Sequence, residues 1–527
     1  MTFQLQTELM QHQREGLQRA LECRQSFAHL AEMGCGKTLT LLAEFQARVG
    51  RSDIMDLLVI APKGSVRNWF HDRGPGSPSE ITRHLDPRLR SDLQIATNGR
   101  TAVMRRQLEH VLAEQRLPRA LFVNIEALSK RDGEAEKICH KFLKAGRCMM
   151  VIDESARIKN HKAQRTKTVL RLGKLARSRR VLTGLVAPNS PLDVFAQYLF
   201  LDRSILGTSF TLFRSRYAKM SFICQAPDSI VDFSLRRTMA RARVRESTVG
   251  WTRARKIERT YELGGWIPHT APIVDGYRNI DELRKRLAPH CHRVLKKDCL
   301  DLPDKIYQLR DSELTSEQRR VYGEVLADAT SRLDAMRHVT ATSAMSQILR
   351  LHQVCCGHVR TDEGELVDLP SHRPAEVLEV LEEHDGKAVV WVAYVPELEK
   401  ISAAIAAEYG EESVARYWGE NAGTRADDET RFLTDPRCRF MVATPATGGV
   451  GNNWQAANLA IYAANDWNLE HRLQSEDRIH RKGQSLACTY VDLQAIGTVE
   501  EKIVQALRAK MDLGSAVTGE ELRRWLV

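Results

Sequence analysis

At 527 residues the chain is too long for one ordinary core, and its 43% hydrophobic and 28% charged residues exclude a disordered chain. The formal charge of +11 favours an anionic partner, nucleic acid first, without deciding the matter. Eleven scattered cysteines, odd in number and without a close-spaced framework, exclude a disulfide-stapled scaffold and fit a reducing cytosol.

The first segment, through Gln13, has no basic region followed by an apolar stretch, and no apolar run approaches the ~20 residues that cross a bilayer. Neither secretion nor membrane insertion is expected. The first stretch that carries chemistry is Ala31-Glu-Met-Gly-Cys-Gly-Lys-Thr38, ahead of a helical pattern at Leu39, Leu42 and Phe45. A glycine-rich loop opening a helix cradles phosphates. Within Gly34-Cys35-Gly36 the glycines let backbone N–H groups approach, Lys37 neutralises the β- and γ-phosphates, and the Thr38 hydroxyl ligates magnesium. The alternative is a plain helix-capping loop.

Apolar runs at residues 57–61 and 120–125 predict strands, and Met149-Met-Val-Ile-Asp-Glu154 ends a third on two acids. Ligands of open parallel sheets gather at such carboxyl ends. Asp153 is expected to hold magnesium through its water shell, and Glu154 to orient and deprotonate the water that attacks the γ-phosphate. Capping of the following helix is the alternative. Residues 162–180 carry eight Lys or Arg and no acid, with Val169, Leu172 and Leu175 at helical spacing. A solvated helix face and a phosphate contact both remain open there.

From 206 to about 370 the pattern is mostly helical or irregular, and residues 236–259 hold nine Lys or Arg against two Glu, a net +7. That stretch reads either as a DNA-facing surface or as a solvated insertion. Cys291, His292 and Cys299, with Cys355, Cys356 and His358, offer no CxxC pair and irregular spacing, so no zinc site is expected. Strand-like runs resume at 388–393, 440–444 and 459–463. The two groups of runs predict an α/β protein: parallel-sheet lobes at 1–205 and 371–527, with a mostly helical, basic segment 206–370 between them.

In the second lobe, Gln474-Ser-Glu-Asp-Arg478-Ile-His-Arg481-Lys-Gly-Gln484 places Arg478 and Arg481 three apart, on one face of an expected helix. Two guanidinium groups there reach a triphosphate held by the other lobe and stabilise the transferring phosphoryl group. Standing alone the segment would read as a solvated surface helix. Val499, Ile503 and Leu507 recur every four residues and predict an amphipathic helix packed back onto the second lobe.

Taken in order, these motifs resemble the Swi/Snf-like branch of helicase superfamily two, in compact form similar to phage and bacterial members. The likeness spans most of the chain. Leu9-Met-Gln-His-Gln13-Arg-Glu-Gly16 resembles the adenine-reading glutamine motif, which implies that Gln13 pairs with the base. Leu58-Val-Ile-Ala-Pro62 with Asn68-Trp69 resembles a strand and loop that grip one DNA strand, and Asn124-Ile-Glu126 matches the motif after it. Residues 153–160 resemble the magnesium motif, and Leu182-Thr-Gly184 through Asn189 the coupling motif. Residues 443–453 are similar to the Gly-Gly-x-Gly-x-Asn motif and Asp466-Trp-Asn468 to its successor. The stretch from Gln474 to Gln484 is the nearest match, and residues 497–503 resemble its usual sequel.

The resemblance implies two RecA-like lobes that bind ATP and Mg2+ in their cleft and close to bring Arg478 and Arg481 onto the γ-phosphate. It implies an ATP-dependent translocase on double-stranded DNA, gripping phosphates independently of sequence through Lys63, Asn68, Asn189, Thr444 and Asn453. The location implied is cytoplasmic: nucleoid-associated, or the host cytoplasm for a phage-encoded chain. Leu185 and Val186 stand where relatives continue with Thr-Pro, and Ser155-Ala156 lacks the histidine many relatives carry after the acids. Two rival functions follow, a strand-separating DNA or RNA helicase and a nucleotide-gated DNA-binding protein with weak turnover.

Overall fold

Successive side chains of strand β2 (Asp56–Ala61) fall into two separate apolar clusters, Leu58 and Ile60 on one face, Leu57, Val59 and Ala61 on the other. A strand buried on both faces belongs to a sheet covered by helices on both sides, as in parallel α/β folds. The computed structural model describes residues 3–72, 78–99, 101–114, 116–144, 147–225, 269–335, 341–361, 363–421, 423–448 and 453–518.

Its first sheet comprises β1 (Ser26–Ala31), β2, β3 (Gln94–Thr97), β4 (Arg119–Asn124), β5 (Cys148–Asp153), β6 (Ser178–Leu182) and, after an antiparallel ribbon of β7 (Ala218–Gln225) and β8 (His269–Tyr277), β9 (Cys291–Val294). The order is β3-β4-β2-β5-β6-β1-β9, parallel throughout. The second sheet comprises β10 (Lys305–Ser312) and, beyond a hairpin of β11 (His358–Arg360) and β12 (Leu366–Asp368), β13 (Lys387–Trp391), β14 (Val414–Tyr417), β15 (Phe440–Ala443), β16 (Ala457–Tyr462) and β17 (Cys488–Ala495). It runs β10-β17-β16-β13-β15-β14, again all parallel. β13 repeats the two-faced pattern, with Ala388 and Val390 in one cluster and Val389 and Trp391 in the other. The molecule therefore has two RecA-like lobes.

The sheets extend into the segment 206–370 that composition set apart. β9 adds an edge strand to the first lobe beside β1, and β10 adds one to the second beside β17. Edge strands are only half covered, so His292 and Arg293, or Lys305 and Gln308, replace the apolar run that marks a central strand. The basic stretch 236–259 lies outside the described residues.

The run 162–180 divides. Gln164–Gly173 is a helix with Val169 and Leu172 buried, whereas Arg180, in β6, is fully buried and is neither a solvated face nor a phosphate contact. Its Nε donates to Glu44 Oε2 at 2.9 Å, and its Nη2 to the carbonyls of Ala20 and Cys23, both at 3.1 Å. Burial pushes the Glu44 carboxyl up, but the Arg180 guanidinium and His29 beside it bring it down to about 2. Glu44 belongs to the helix Lys37–Gly50, so this pair anchors the helix that follows the phosphate loop. Arg48 Nη1 lies 3.3 Å from Glu44 Oε1 as well, so Glu44 is shared between two buried guanidinium groups, and its removal would strand Arg180 at a cost of about 3–5 kcal/mol.

The helix Val499–Thr518 forms as expected, but it bridges the lobes rather than packing on the second alone. Ile503, Leu507 and Met511 cluster with Leu469 of the second lobe and with Leu185, which the first lobe presents half-buried after β6. Among the described residues no helix is long and apolar enough to cross a membrane.

Candidate nucleotide and nucleic-acid site

β1 delivers the glycine-rich loop to the N-terminus of the helix Lys37–Gly50, with Gly34 at φ +85° and Gly36 at φ +77°. Gly36 is required twice over, by its left-handed backbone and because a Cβ there would stand 2.1 Å from Gln13 Nε2. Gln13 is buried, donating from Nε2 to the Cys35 carbonyl at 3.3 Å and accepting at Oε1 from the Met10 N–H at 2.9 Å. The Nε2 end of the amide thus holds the loop against the helix Gln11–Glu22 while the Oε1 end caps that helix, and His12 Nε2 lies 3.0 Å from the same loop carbonyl. Lys37 and Thr38 open the next helix, both half-buried.

β5 carries Asp153 to its end, 8% exposed, and Glu154 follows at φ +47°, a left-handed conformation that costs a non-glycine residue about 1–3 kcal/mol and clusters at functional sites. Asp153 accepts the Glu154 N–H at Oδ1 (3.0 Å) and the Trp69 indole N–H at Oδ2 (3.2 Å). Glu154 Oε1 stands 3.9 Å from Lys37 Nζ. Burial pushes both acids up, Glu154 to about 7, where Lys37 opposes the rise and Asp153 and Glu470 add to it. Two adjacent buried carboxylates facing one lysine fit a divalent cation, with Thr38 and Asp153 as its holders.

Arg478 and Arg481 do not share a helix face. The helix Leu469–Glu476 ends before them and they lie in the following turn, which Gln484 pins by donating to the carbonyls of Gln455, Ala457 and Ile479. The turn still aims them at the first lobe. Arg478 donates to the Gln474 carbonyl at 3.0 Å and approaches Met33 Sδ, beside the phosphate loop, at 3.7 Å. A Cβ on Gly34 would meet Arg481 Cβ at 4.0 Å. Burial, and then the Arg481 charge, lower Arg478 to about 10, so it stays cationic at neutral pH. Lys37, Arg478 and Arg481 converging on one glycine loop fit a polyphosphate.

Other partners carried no sequence signal. Lys296, two residues beyond β9, places Nζ 2.5 Å from Asp477 Oδ1 and 2.7 Å from the His480 carbonyl, while its N–H donates to Glu32 Oε2 at 2.7 Å. It therefore joins the phosphate loop to the arginine turn. Arg157 adds a looser bridge between the lobes, 3.8 Å from Glu470 Oε1. A cavity of about 400 Å³ remains between the lobes, lined by Glu154, Leu185, Lys296, Tyr307 and Gln474 among others. Trp69, quoted above only as part of a motif, donates its indole N–H to Asp153.

The residues expected at nucleic acid occupy separate loops of both lobes. Lys63 is exposed after β2, its N–H donating to Glu126 Oε2 at 3.3 Å, and Asn68 is half-buried in the turn Val66–Trp69. Asn189 is exposed after β6, its N–H donating to Asp193 Oδ2 at 2.8 Å. Thr444 follows β15, and Asn453 is exposed ahead of β16, while residues 449–452 of the glycine motif lie outside the described residues. In the first lobe the loops after β2 and β6 share the carboxyl edge of the sheet with the phosphate loop and Asp153.

Residues 12–359 match the family model of the SNF2-related domain. The chain belongs to the SNF2-related family. Residues 372–483 match the helicase conserved C-terminal domain, so the SNF2-related chain is of the Swi/Snf-like type, among the nucleic-acid-dependent ATPases of helicase superfamily two. It is 26% identical over 396 residues to the TATA-binding protein-associated factor mot1 of Aspergillus fumigatus, covering 70% of this chain and 20% of that protein. It is 24% identical over 519 residues to the nuclear protein STH1/NPS1 of Saccharomyces cerevisiae, covering 92% of this chain and 33% of that one. The chain thus spans a third or less of these relatives' length. A solved Sulfolobus solfataricus SWI2/SNF2 ATPase core in complex with dsDNA is 22% identical, with 98% of this chain and 96% of that one covered at a TM-score of 0.38.

Proposed function

We propose that this SNF2-family chain is an ATP-driven motor that moves along double-stranded DNA without regard to sequence. The supporting observation is the approach of Arg478 to Met33, which sets a second-lobe guanidinium against the phosphate loop of the first.

Lys37 and the N–H groups around Gly34, Cys35 and Gly36 hold the β- and γ-phosphates of ATP. Thr38 and Asp153 hold Mg2+, which supplies neutralisation of the charge that develops on the phosphates. Glu154 orients the attacking water and takes its proton at the carboxylate. Arg478 and Arg481 stabilise the transferring phosphoryl group only while the lobes are together, so hydrolysis demands closure. Gln13 holds the loop through Cys35 and keeps one N–H and one lone pair of its amide for pairing with adenine. Lys63, Asn68, Asn189, Thr444 and Asn453 grip DNA phosphates, so affinity falls with salt. The free thiols of the described cysteines support a reducing, cytoplasmic location.

The test is the ATPase rate with no nucleic acid, single-stranded DNA, duplex DNA and RNA in parallel, followed by triplex-displacement and strand-displacement assays. Duplex DNA should stimulate most, with triplex displacement and no strand separation. Stimulation by RNA alone, or separated strands, would overturn the substrate; ATP left intact under every condition would overturn the motor.

A further inference from the structure

A buried relay links the turn after β5 to the stretch after β6. Ser155 follows Glu154 directly, and its Oγ donates to Gln197 Oε1 at 2.6 Å, both side chains being fully buried. Gln197, on the helix Val194–Leu201, donates from Nε2 to the carbonyl of Val186 at 2.7 Å and to that of Asp193 at 3.0 Å. An amide has an acceptor at one end and two N–H donors at the other, so these partners fix its orientation and satisfy both ends.

Pairing alone is no argument for function, because buried polar groups are paired almost everywhere. The addresses of the two ends make the argument. At one end stands the residue next to Glu154, itself held in a left-handed turn. At the other, Val186 follows Leu185, whose side chain packs against Leu469, Ile503 and Leu507. Thr183 stiffens that stretch, its Oγ1 donating to the Leu185 carbonyl and accepting the Leu185 N–H, both at 3.1 Å. Asp193, the third partner, accepts the N–H groups of Asn189 and Ser190. The contacts therefore run from the hydrolytic carboxylate to the segment that meets both the second lobe and Asn189.

We infer that Gln197 is a positioning residue that couples the Glu154 turn to the segment 185–193, so that lobe closure and DNA at that segment reach the hydrolysis site through it. The inference rests on the proposed nucleic-acid-stimulated ATPase. Gln197 is fully buried and acts through Ser155 and Val186, not on substrate.

The test compares wild type with Gln197→Leu, which keeps the size and removes all three bonds, and Ser155→Ala, which cuts only the link to the carboxylate turn. In each variant the ratio of duplex-DNA-stimulated to basal ATPase rate should fall about fivefold or more, at unchanged KM for ATP. The double variant should be no worse than Gln197→Leu, since both changes break one chain of contacts. Melting curves report folding, and Ser155→Ala keeps the test decisive should Gln197→Leu fail to fold. Full stimulation in Ser155→Ala, or a parallel fall of basal and stimulated rates, overturns the inference. A wild type that no nucleic acid stimulates overturns the proposed function with it, whereas stimulated variants beside a stimulated wild type overturn the inference alone.

Discussion

The Trp69 indole N–H points at Asp153 Oδ2 from 3.2 Å, so the loop that carries Lys63 and Asn68 is joined directly to the carboxylate assigned to Mg2+. Groups that hydrogen-bond a metal's ligand orient it, and their loss costs about 10–100-fold in metal affinity or activity. Trp69→Phe keeps an aromatic ring, though a smaller one, and removes the donor. The Mg2+ concentration giving half-maximal ATPase should rise by about that factor, and an unchanged Mg2+ titration would show that Asp153 needs no such support.

The Glu154 carboxyl, pushed up to about 7 from its ordinary 4.5, gives a pH dependence with a definite sign. A raised carboxyl favours the folded state below its unfolded value, and that stability is lost as pH rises through about 7. Glu154→Gln removes the loss, so the nucleotide-free variant should be more stable than wild type at pH 8, by up to about 3 kcal/mol, with the difference shrinking towards pH 5. Denaturant melts at the two pH values check this. For wild type, kcat/KM for ATP should rise with pH through about 7, as Glu154 becomes able to accept a proton.

Lys37→Ala should abolish turnover by removing the cation that holds the β- and γ-phosphates. Arg478→Ala and Arg481→Ala should instead leave nucleotide binding in place and lower kcat by about 10³-fold, the usual effect of losing an arginine that stabilises the transferring phosphoryl group. A fluorescent nucleotide titration beside the ATPase assay separates the outcomes. Wild-type turnover in all three variants would remove the assigned roles.

Lys296 and Asp477 are nearly buried, so Lys296→Met strands a carboxylate between the lobes and should destabilise by about 3 kcal/mol. Lys296→Met with Asp477→Leu should recover most of that loss. Chemical denaturation of the four forms gives the coupling energy, and simple additivity would mean that the pair does not hold the lobes together.

The centres of both sheets were readable from sequence because β2, β4, β5, β13, β15 and β16 are continuous apolar runs. Strands that carry paired charges were hidden. β6 reads as basic because Arg180 is there, yet Arg180 is neutralised inside by Glu44; β17 contains Asp492, fully buried against Arg472 at 2.9 Å. The nucleotide loop and the acids were legible because their chemistry depends on neighbours in sequence. Lys296 and Asp477 are 181 residues apart, and no local pattern announces a contact made only by folding. The spacing of Arg478 and Arg481 suggested a helix, but the buried amide of Gln484 holds a turn instead.

β9 and β10 set a geometric limit on the motor. Among the described residues all first-lobe strands precede residue 295 and all second-lobe strands follow 304, so there the backbone crosses between the sheets once, through residues 295–304. Both ends of that crossing are tied into a ladder, to β1 on one side and β17 on the other. Ten residues drawn straight reach about 35 Å, which caps how far the ladder ends can part, and Lys296 shortens the free length from within. Any parting of the lobes is a tethered swing of bounded reach.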